Sequence, residues 1–419
     1  MNGSWQEHLE QDILPWWNER AVDAELGGVF TNVDNAGSLL STNKYTWSQG
    51  RWAWLAAELA EEVAAGTIAD ADADVVAWTD RAKRTASFLY EHAVRADGRT
   101  VFLTSRQGRP IPAEPGGDVA TSVFADLFAA LGLGAAARVH PAQGEDWLRA
   151  AGRILHRAES DWQARTARSE PYPVPAGFRD LAGPMNLLHT AAEMLRARSA
   201  CPMTAAFWQE IDGVRTRALT LLIGPDGFLG DPTWWEFAPD DAQRADALLG
   251  THRTPGHLLE ALWMIAHAQE QSGESPHWQR LVRLGQRALD IGWDARDSGI
   301  LRYTHADGGP PRGDLLDPAH PTPYESLVDD TWDTKLWWVH AESVYTTALL
   351  RPYSEDMAQW HRRISDYTYA TFPDPAQGEW IQVRGRDGHP LDKVVALPVK
   401  DPFHVIRSLI FLSRIERRS

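Results

Sequence analysis

Apolar residues return at helical spacing in roughly a dozen separate segments of the 419-residue chain, and this repeat constrains the fold more than any other feature of the sequence. The segments lie near 5–19, 46–65, 73–95, 119–138, 145–168, 184–199, 205–222, 256–272, 277–292, 333–350, 355–371 and 402–416. In 184–199 the stripe is Met185, Leu188, Ala192 and Leu195; in 402–416 it is Phe403, Ile406, Leu409 and Ile410. Each such helix has a face that must be buried against another. Short extended segments with turn glycines lie between them, at Gly27–Asp34, Val101–Gly108 and Trp380–Gly388, and read as hairpins at the helix ends. The loop-rich stretches are 170–183 and 305–330, and no low-complexity linker divides the chain. The expectation is an all-α protein, a single domain over residues 1–419, with six inner helices ringed by six outer ones as an (α/α)6 toroid. An open helical solenoid is the structural alternative.

The charge balance narrows the partners. With 57 acidic against 41 basic residues and a net charge of -16, the surface is poorly suited to nucleic acid or an anionic membrane. Every apolar run is interrupted by a charged or amide side chain well short of the roughly 20 residues that span a bilayer. The single cysteine, Cys201, and a start (Met1 to His8) with neither basic segment nor apolar core point to the cytoplasm. Twenty tryptophans are many for this length. Three clusters, Trp47/Arg51/Trp52, Trp234/Trp235/Glu236 and Trp337/Trp338/His340/Glu342, mix indoles with charge and suggest a polar pocket walled by rings that can face a sugar's C–H bonds.

Three segments carry groups suited to proton transfer. In Thr254-Pro255-Gly256-His257-Leu258-Leu259-Glu260, Pro and Gly open a helix, and His257 and Glu260 share a face of its first turn, so Glu260 can orient the imidazole and favour its charged form. In Lys400-Asp401-Pro402-Phe403-His404-Val405-Ile406-Arg407 a second histidine stands on an opening turn, with Arg407 three residues on. In Tyr45–Trp54, Arg51 sits among aromatics where a guanidinium can hold a substrate oxygen. Alone, His257 reads equally as a base or as a structural histidine, and His404 alone reads as structural. The pair supplies what chemistry beside a carbonyl needs, one group to remove a proton and one to return it.

The ordered motifs Gly27-Gly28-Val29-Phe30, Trp47-Ser48-Gln49-Gly50-Arg51, Ser122-Val123-Phe124-Ala125-Asp126, Pro255-Gly256-His257-x-x-Glu260, Lys335-Leu336-Trp337-Trp338-Val339-His340-x-Glu342 and Phe403-His404-x-x-Arg407 resemble the N-acylglucosamine 2-epimerase family, from about residue 27 to 410. The resemblance implies the (α/α)6 barrel with a central pocket, His257 and His404 as the two acid/base residues, and Arg51, Asn186, Glu260, Trp337, Trp338, His340, Glu342 and Arg407 as the substrate-binding set. On the helix near 184–199, Thr190 stands where isomerase-type members carry a histidine, with His189 beside it, which would leave room for an N-acyl group at C2.

The function expected is isomerisation of a ring-opened sugar through an enediolate, without metal or cofactor, with mannose to fructose as the first reaction to test. The alternative is a 2-epimerase of an N-acyl sugar or of a free aldose. A more remote alternative is a glycoside hydrolase on the same toroid, with its carboxylates drawn from Asp126, Glu236, Asp329 and Asp330. A non-catalytic sugar-binding or protein-binding module accounts least well for the two histidines. The partner expected is a small sugar, with a homodimer compatible with the sequence.

Overall fold

The computed structural model describes residues 4–70, 72–230, 233–391 and 400–418. Among these described residues, twelve helices in six hairpins make up the ring. The outer layer consists of α1 (Leu14–Arg20, continuing shorter turns from Trp5), α3 (Val75–Phe88), α5 (Pro141–Gln163), α7 (Ala205–Ile223), α9 (Trp278–Gly292) and α11 (Glu355–Thr371). The inner layer consists of α2 (Thr46–Ala64), α4 (Val123–Val139), α6 (Ala182–Leu195), α8 (Pro255–Gln271), α10 (Trp337–Leu350) and α12 (Phe403–Arg418). Each inner helix packs on the next, and α12 returns to α2, which closes the ring and sets aside the open solenoid.

Local chemistry explains most boundaries. The segment expected near 119–138 begins at Val123 because Ser122 accepts the amide of Ala125. The one expected near 145–168 begins earlier, at Pro141, whose missing N–H costs nothing at a first helical position. One principal core, from Leu9 to Leu412, fills the space between and within the layers.

The hairpins differ from expectation in an instructive way. One pair is local, Asn32–Val33 with Leu39–Ser41 at the end of the expected Gly27–Asp34 hairpin, and local turns form at Ser105–Gly108 and Gly385–Gly388, but four strand pairs join distant segments: Lys44–Tyr45 with Leu103–Thr104, Phe178–Asp180 with Phe237–Pro239, His252–Arg253 with Thr304–His305, and Lys335–Leu336 with Val383–Arg384. The first strand of each of these four pairs leads into an inner helix, at α2, α6, α8 and α10. These pairs therefore line up the N-termini of four inner helices on one mouth of the ring. Toward the other end, the fully buried carboxylate of Glu58 on α2 is bound by Arg138, Arg196 at 2.5 Å and Arg414 at 2.6 Å.

The stretch 305–330 is not all loop. A short helix, Pro323–Thr331, starts on a reciprocal cap in which Thr322 and Glu325 exchange hydrogen bonds. The pattern Thr-Pro-Tyr-Glu was readable for that feature. No helix among the described residues is long and apolar enough to cross a membrane.

Candidate active site

A cavity of about 280 Å³ opens at the mouth where the inner helices begin. His257 reaches it from the first turn of α8 and His404 from the first turn of α12. Both imidazoles lie against one indole, Trp338, with ring centroids 5.2 and 5.7 Å away.

Each imidazole is held at Nδ1 by its own carboxylate. His257 Nδ1 is 2.7 Å from Glu236 Oε1, and His404 Nδ1 is 2.8 Å from Glu342 Oε1. An imidazole held in this way presents Nε2 to a substrate. His257 keeps a quarter of its side chain accessible from the cavity, while Glu236 is buried. Burial, the largest single influence, lowers the pKa of His257, but the carboxylates around it, Glu236 foremost with Glu260 and Asp180 behind, together outweigh burial and raise the pKa above the ordinary histidine value.

The partner of His257 differs from the sequence expectation. Glu260, its neighbour on the helix, does not hold it; Glu260 Oε1 instead accepts from Arg407 Nη2 at 2.7 Å and lies 3.7 Å from His404 Nδ1. Helical spacing gave the shared face, but the strand Phe237–Pro239 carries Glu236 in from the preceding loop. Its place beside Trp234 and Trp235 was the only sequence signal for it.

Glu342 and Arg407 stand behind His404 rather than in the cavity wall. Arg407 Nη2 bridges Glu260 and Glu342 (2.7 and 2.5 Å), and Trp263 Nε1 donates to Glu342 Oε2 at 2.7 Å, so every oxygen of Glu342 is engaged. Glu260, Glu342 and His404 bring metal-ligand atoms within 4.8 Å of one another. The guanidinium of Arg407 already supplies the cation that those carboxylates need.

Arg51 lines the cavity, ion-paired to Asp401 and stacked 4.0 Å from the centroid of Phe128. Trp337 and Asn186 also line it, the amide of Asn186 donating to Ala182 O at 2.9 Å. His340 does not. It is fully buried between Phe372 and Tyr367, donates from Nδ1 to Leu336 O at 2.8 Å and accepts Ile300 N–H at Nε2 at 3.0 Å, and burial lowers its pKa to about 3. Its role is to pin the backbone at Ile300.

Thr190 is also buried and outside the cavity wall, with its hydroxyl donating to Leu127 O at 3.3 Å, so it creates no space at a sugar's C2. His189 is packed edge-on to Trp263, with its pKa lowered by burial to about 3.

Sequence reasoning missed Arg302, Tyr303 and Tyr324, which complete the wall on the His257 side. No motif marks them; strand pairing and the short helix bring them there. Of the carboxylates weighed for hydrolysis, Asp329 and Asp330 are exposed, and Asp126 is buried and occupied by Thr100 N and Oγ1 at 2.6 and 2.7 Å. Only Glu236 reaches the cavity, already bound to His257.

A closed (α/α)6 ring whose mouth holds two carboxylate-oriented imidazoles defines a class of barrel enzyme, and the comparisons place this chain among the isomerases that act on carbohydrates. It belongs to the N-acylglucosamine 2-epimerase family, whose model matches residues 78–408. It is 26% identical to the N-acylglucosamine 2-epimerase of Mus musculus, over 98% of this chain and 91% of that one, and 25% identical to that of Homo sapiens, over 97% and 88%. The fold is shared with a sugar epimerase from a ruminal bacterium (TM-score 0.74, 17% identity, 99% and 98% coverage) and with cellobiose 2-epimerase from Bacillus thermoamylovorans (0.72, 18%, 99% and 98%). A D-mannose isomerase shares it at TM-score 0.70 and 14% identity, covering 98% and 97%.

Proposed function

We propose that the protein is a sugar 2-epimerase in which His257 and His404 are the acid/base pair, with an N-acylmannosamine and its N-acylglucosamine epimer as the first substrates to test. The observation that carries this reading is the duplication of the imidazole–carboxylate unit. A single histidine moving a proton across one face suffices to make a ketose. Epimerisation needs a second group, independently poised, to return a proton to the opposite face of C2. Here His257 with Glu236 and His404 with Glu342 are separate units that meet at one cavity. The expectation of mannose to fructose is therefore set behind the 2-epimerase alternative, which the family and the 25–26% identical relatives also favour.

In the proposed cycle the ring-opened sugar lies over Trp338 with C2 between the two imidazoles. One Nε2 takes the C2 proton, the electrons pass to the carbonyl oxygen as an enediolate or its C2-amino counterpart, and the other imidazolium returns a proton to the opposite face. The Arg51 guanidinium, already in the wall, is suited to the developing oxyanion. The reverse direction exchanges the roles. The chemistry asks nothing of a metal or cofactor.

The test is incubation of N-acetylmannosamine and of mannose in D2O. N-acetylglucosamine labelled at C2 is the expected product. Fructose from mannose, with N-acetylmannosamine untouched, would restore the isomerase reading. His257→Asn and His404→Asn should each lower kcat by about 10²–10⁴-fold in a folded protein; wild-type kcat in either would remove that residue from the mechanism.

A further inference from the structure

The cations around the cavity have counter-charges, with one exception. Arg51 is paired with Asp401, Arg407 with Glu260 and Glu342, and His257 with Glu236. Arg302 is only 7% exposed and lines the same cavity, yet among the described residues it forms no ion pair; its guanidinium lies 5.0 Å from the ring centroid of Tyr303. The remaining buried carboxylate of the wall, Asp180, is committed to Trp162 Nε1 at 2.8 Å and Gly183 N at 2.9 Å. A buried charge left unpaired is destabilising, and a bound anion would relieve it.

The surroundings are built to hold such a group. Backbone hydrogen bonds from Arg302 N to Thr334 O and from Tyr303 N to Trp332 O, both 3.1 Å, fix the strap, and His340 pins it at Ile300. Tyr324 enters from the short capped helix, with its ring 6.5 Å from that of Tyr303. Burial raises the pKa of both phenols, against the opposing field of Arg302, so both remain protonated donors at neutral pH.

We propose that Arg302, with the hydroxyls of Tyr303 and Tyr324, forms an anion subsite on the His257 side of the cavity, and that the sugar processed here carries a carboxylate or phosphate group. The inference rests on the reading of the cavity as a sugar 2-epimerase site.

The experiment compares wild-type protein with Arg302→Gln and Arg302→Lys on two matched pairs: N-acetylmannosamine against N-acetylmannosamine 6-phosphate, and mannose against mannuronate. Turnover and product are read by chromatography, and binding separately as the ligand-induced rise in Tm. In wild type, one acidic member should exceed its neutral partner in kcat/KM by on the order of 10²-fold, the scale of a buried charge pair. Arg302→Gln should erase that preference chiefly through KM, together with the rise in Tm, and Arg302→Lys should recover part of both. The phosphate and carboxylate arms identify which anion is bound. Equal handling of acidic and neutral sugars by wild type, no rise in Tm with either acidic sugar, or an equal loss on both members of a pair in Arg302→Gln overturns the subsite. The epimerase reading fails separately: a ketose product from the acidic sugar would replace the reaction and leave the acidic preference, and so the subsite, standing.

Discussion

The pairing of His257 with Glu236 decides how the site responds to pH. Because the carboxylate raises the pKa of His257 against the effect of burial, Glu236→Gln removes the raising influence and the ionisation of His257 must move to lower pH. In the direction in which His257 donates its proton, the alkaline limb of the kcat/KM profile shifts down; in the reverse direction the acid limb does. A profile that stays in place in both directions would show that Glu236 does not tune the imidazole. Arg407 supports a second expectation. Its guanidinium lies between the carboxylates of Glu260 and Glu342, 2.7 and 2.5 Å away, in the one cluster of described residues with metal-ligand spacing. A divalent ion would have to displace it, so dialysis against EDTA should leave turnover intact. Loss of activity that returns with a divalent ion would reverse this assignment.

At the level of elements, the site depends on how closely inner helices approach. On α2, Gly50 faces α4 so tightly that an added Cβ would fall on the carbonyl of Phe128, and a Cβ on Gly132 would lie 2.8 Å from the Gly50 Cα. These contacts are with backbone, which cannot rotate aside. Gly50→Ala should therefore cost about 1–3 kcal/mol or more in stability, measurable as a lower midpoint in urea. It should also reduce turnover, because Arg51 is the next residue and rides on the same helix. A fully stable and fully active Gly50→Ala would mean that the helices can part without disturbing the cavity. The strand pairs act similarly from the other side: they carry Glu236 to His257 and lead into α2, α6, α8 and α10, so the site is assembled by loop pairing as much as by helix packing.

For the whole molecule, we propose that the chain folds as one domain, since one principal core runs from Leu9 to Leu412 and α12 closes on α2. Tryptophan fluorescence and far-UV circular dichroism should then report one coincident unfolding transition; two separated transitions would divide the chain. The buried histidines make stability depend on pH. Burial lowers His189 and His340 to about 3 and His252, His267 and His361 to about 4, all below the value of an exposed histidine. The unfolded chain therefore binds more protons below about pH 6.5, and stability is lost as pH falls from there toward the folded values, by at most about 2 kcal/mol per histidine at pH 5. Asp126 opposes this, because burial raises it to about 7 and its contribution is present at low pH and lost as pH rises. His257, Asp180, Asp290, Glu379 and Glu416, all raised, act with Asp126, while His8 and His305, lowered by burial, act with the five histidines. The five deep histidine shifts set the balance, so Tm should be lower at pH 5 than at pH 7. An equal Tm would mean that these imidazoles do not stay neutral in the core.

Apolar periodicity, caps such as Ser122 and the helix-opening Pro-Gly-His are local and leave their mark within a few residues, so the twelve helices of the ring and the two histidines at the starts of α8 and α12 were legible before any packing was known. Motif order also brought Arg51, Trp337 and Trp338 to the cavity wall, and the family resemblance on the helix near 184–199 brought Asn186. The tertiary structure decided which carboxylate serves which histidine, sent His340 and Thr190 into the core, and brought Arg302, Tyr303 and Tyr324 to the site. Those outcomes depend on pairing between strands about 50–60 residues apart and on closure of the ring. A helix face shows which residues point the same way, but the groups that will stand opposite them are settled only when distant segments pack.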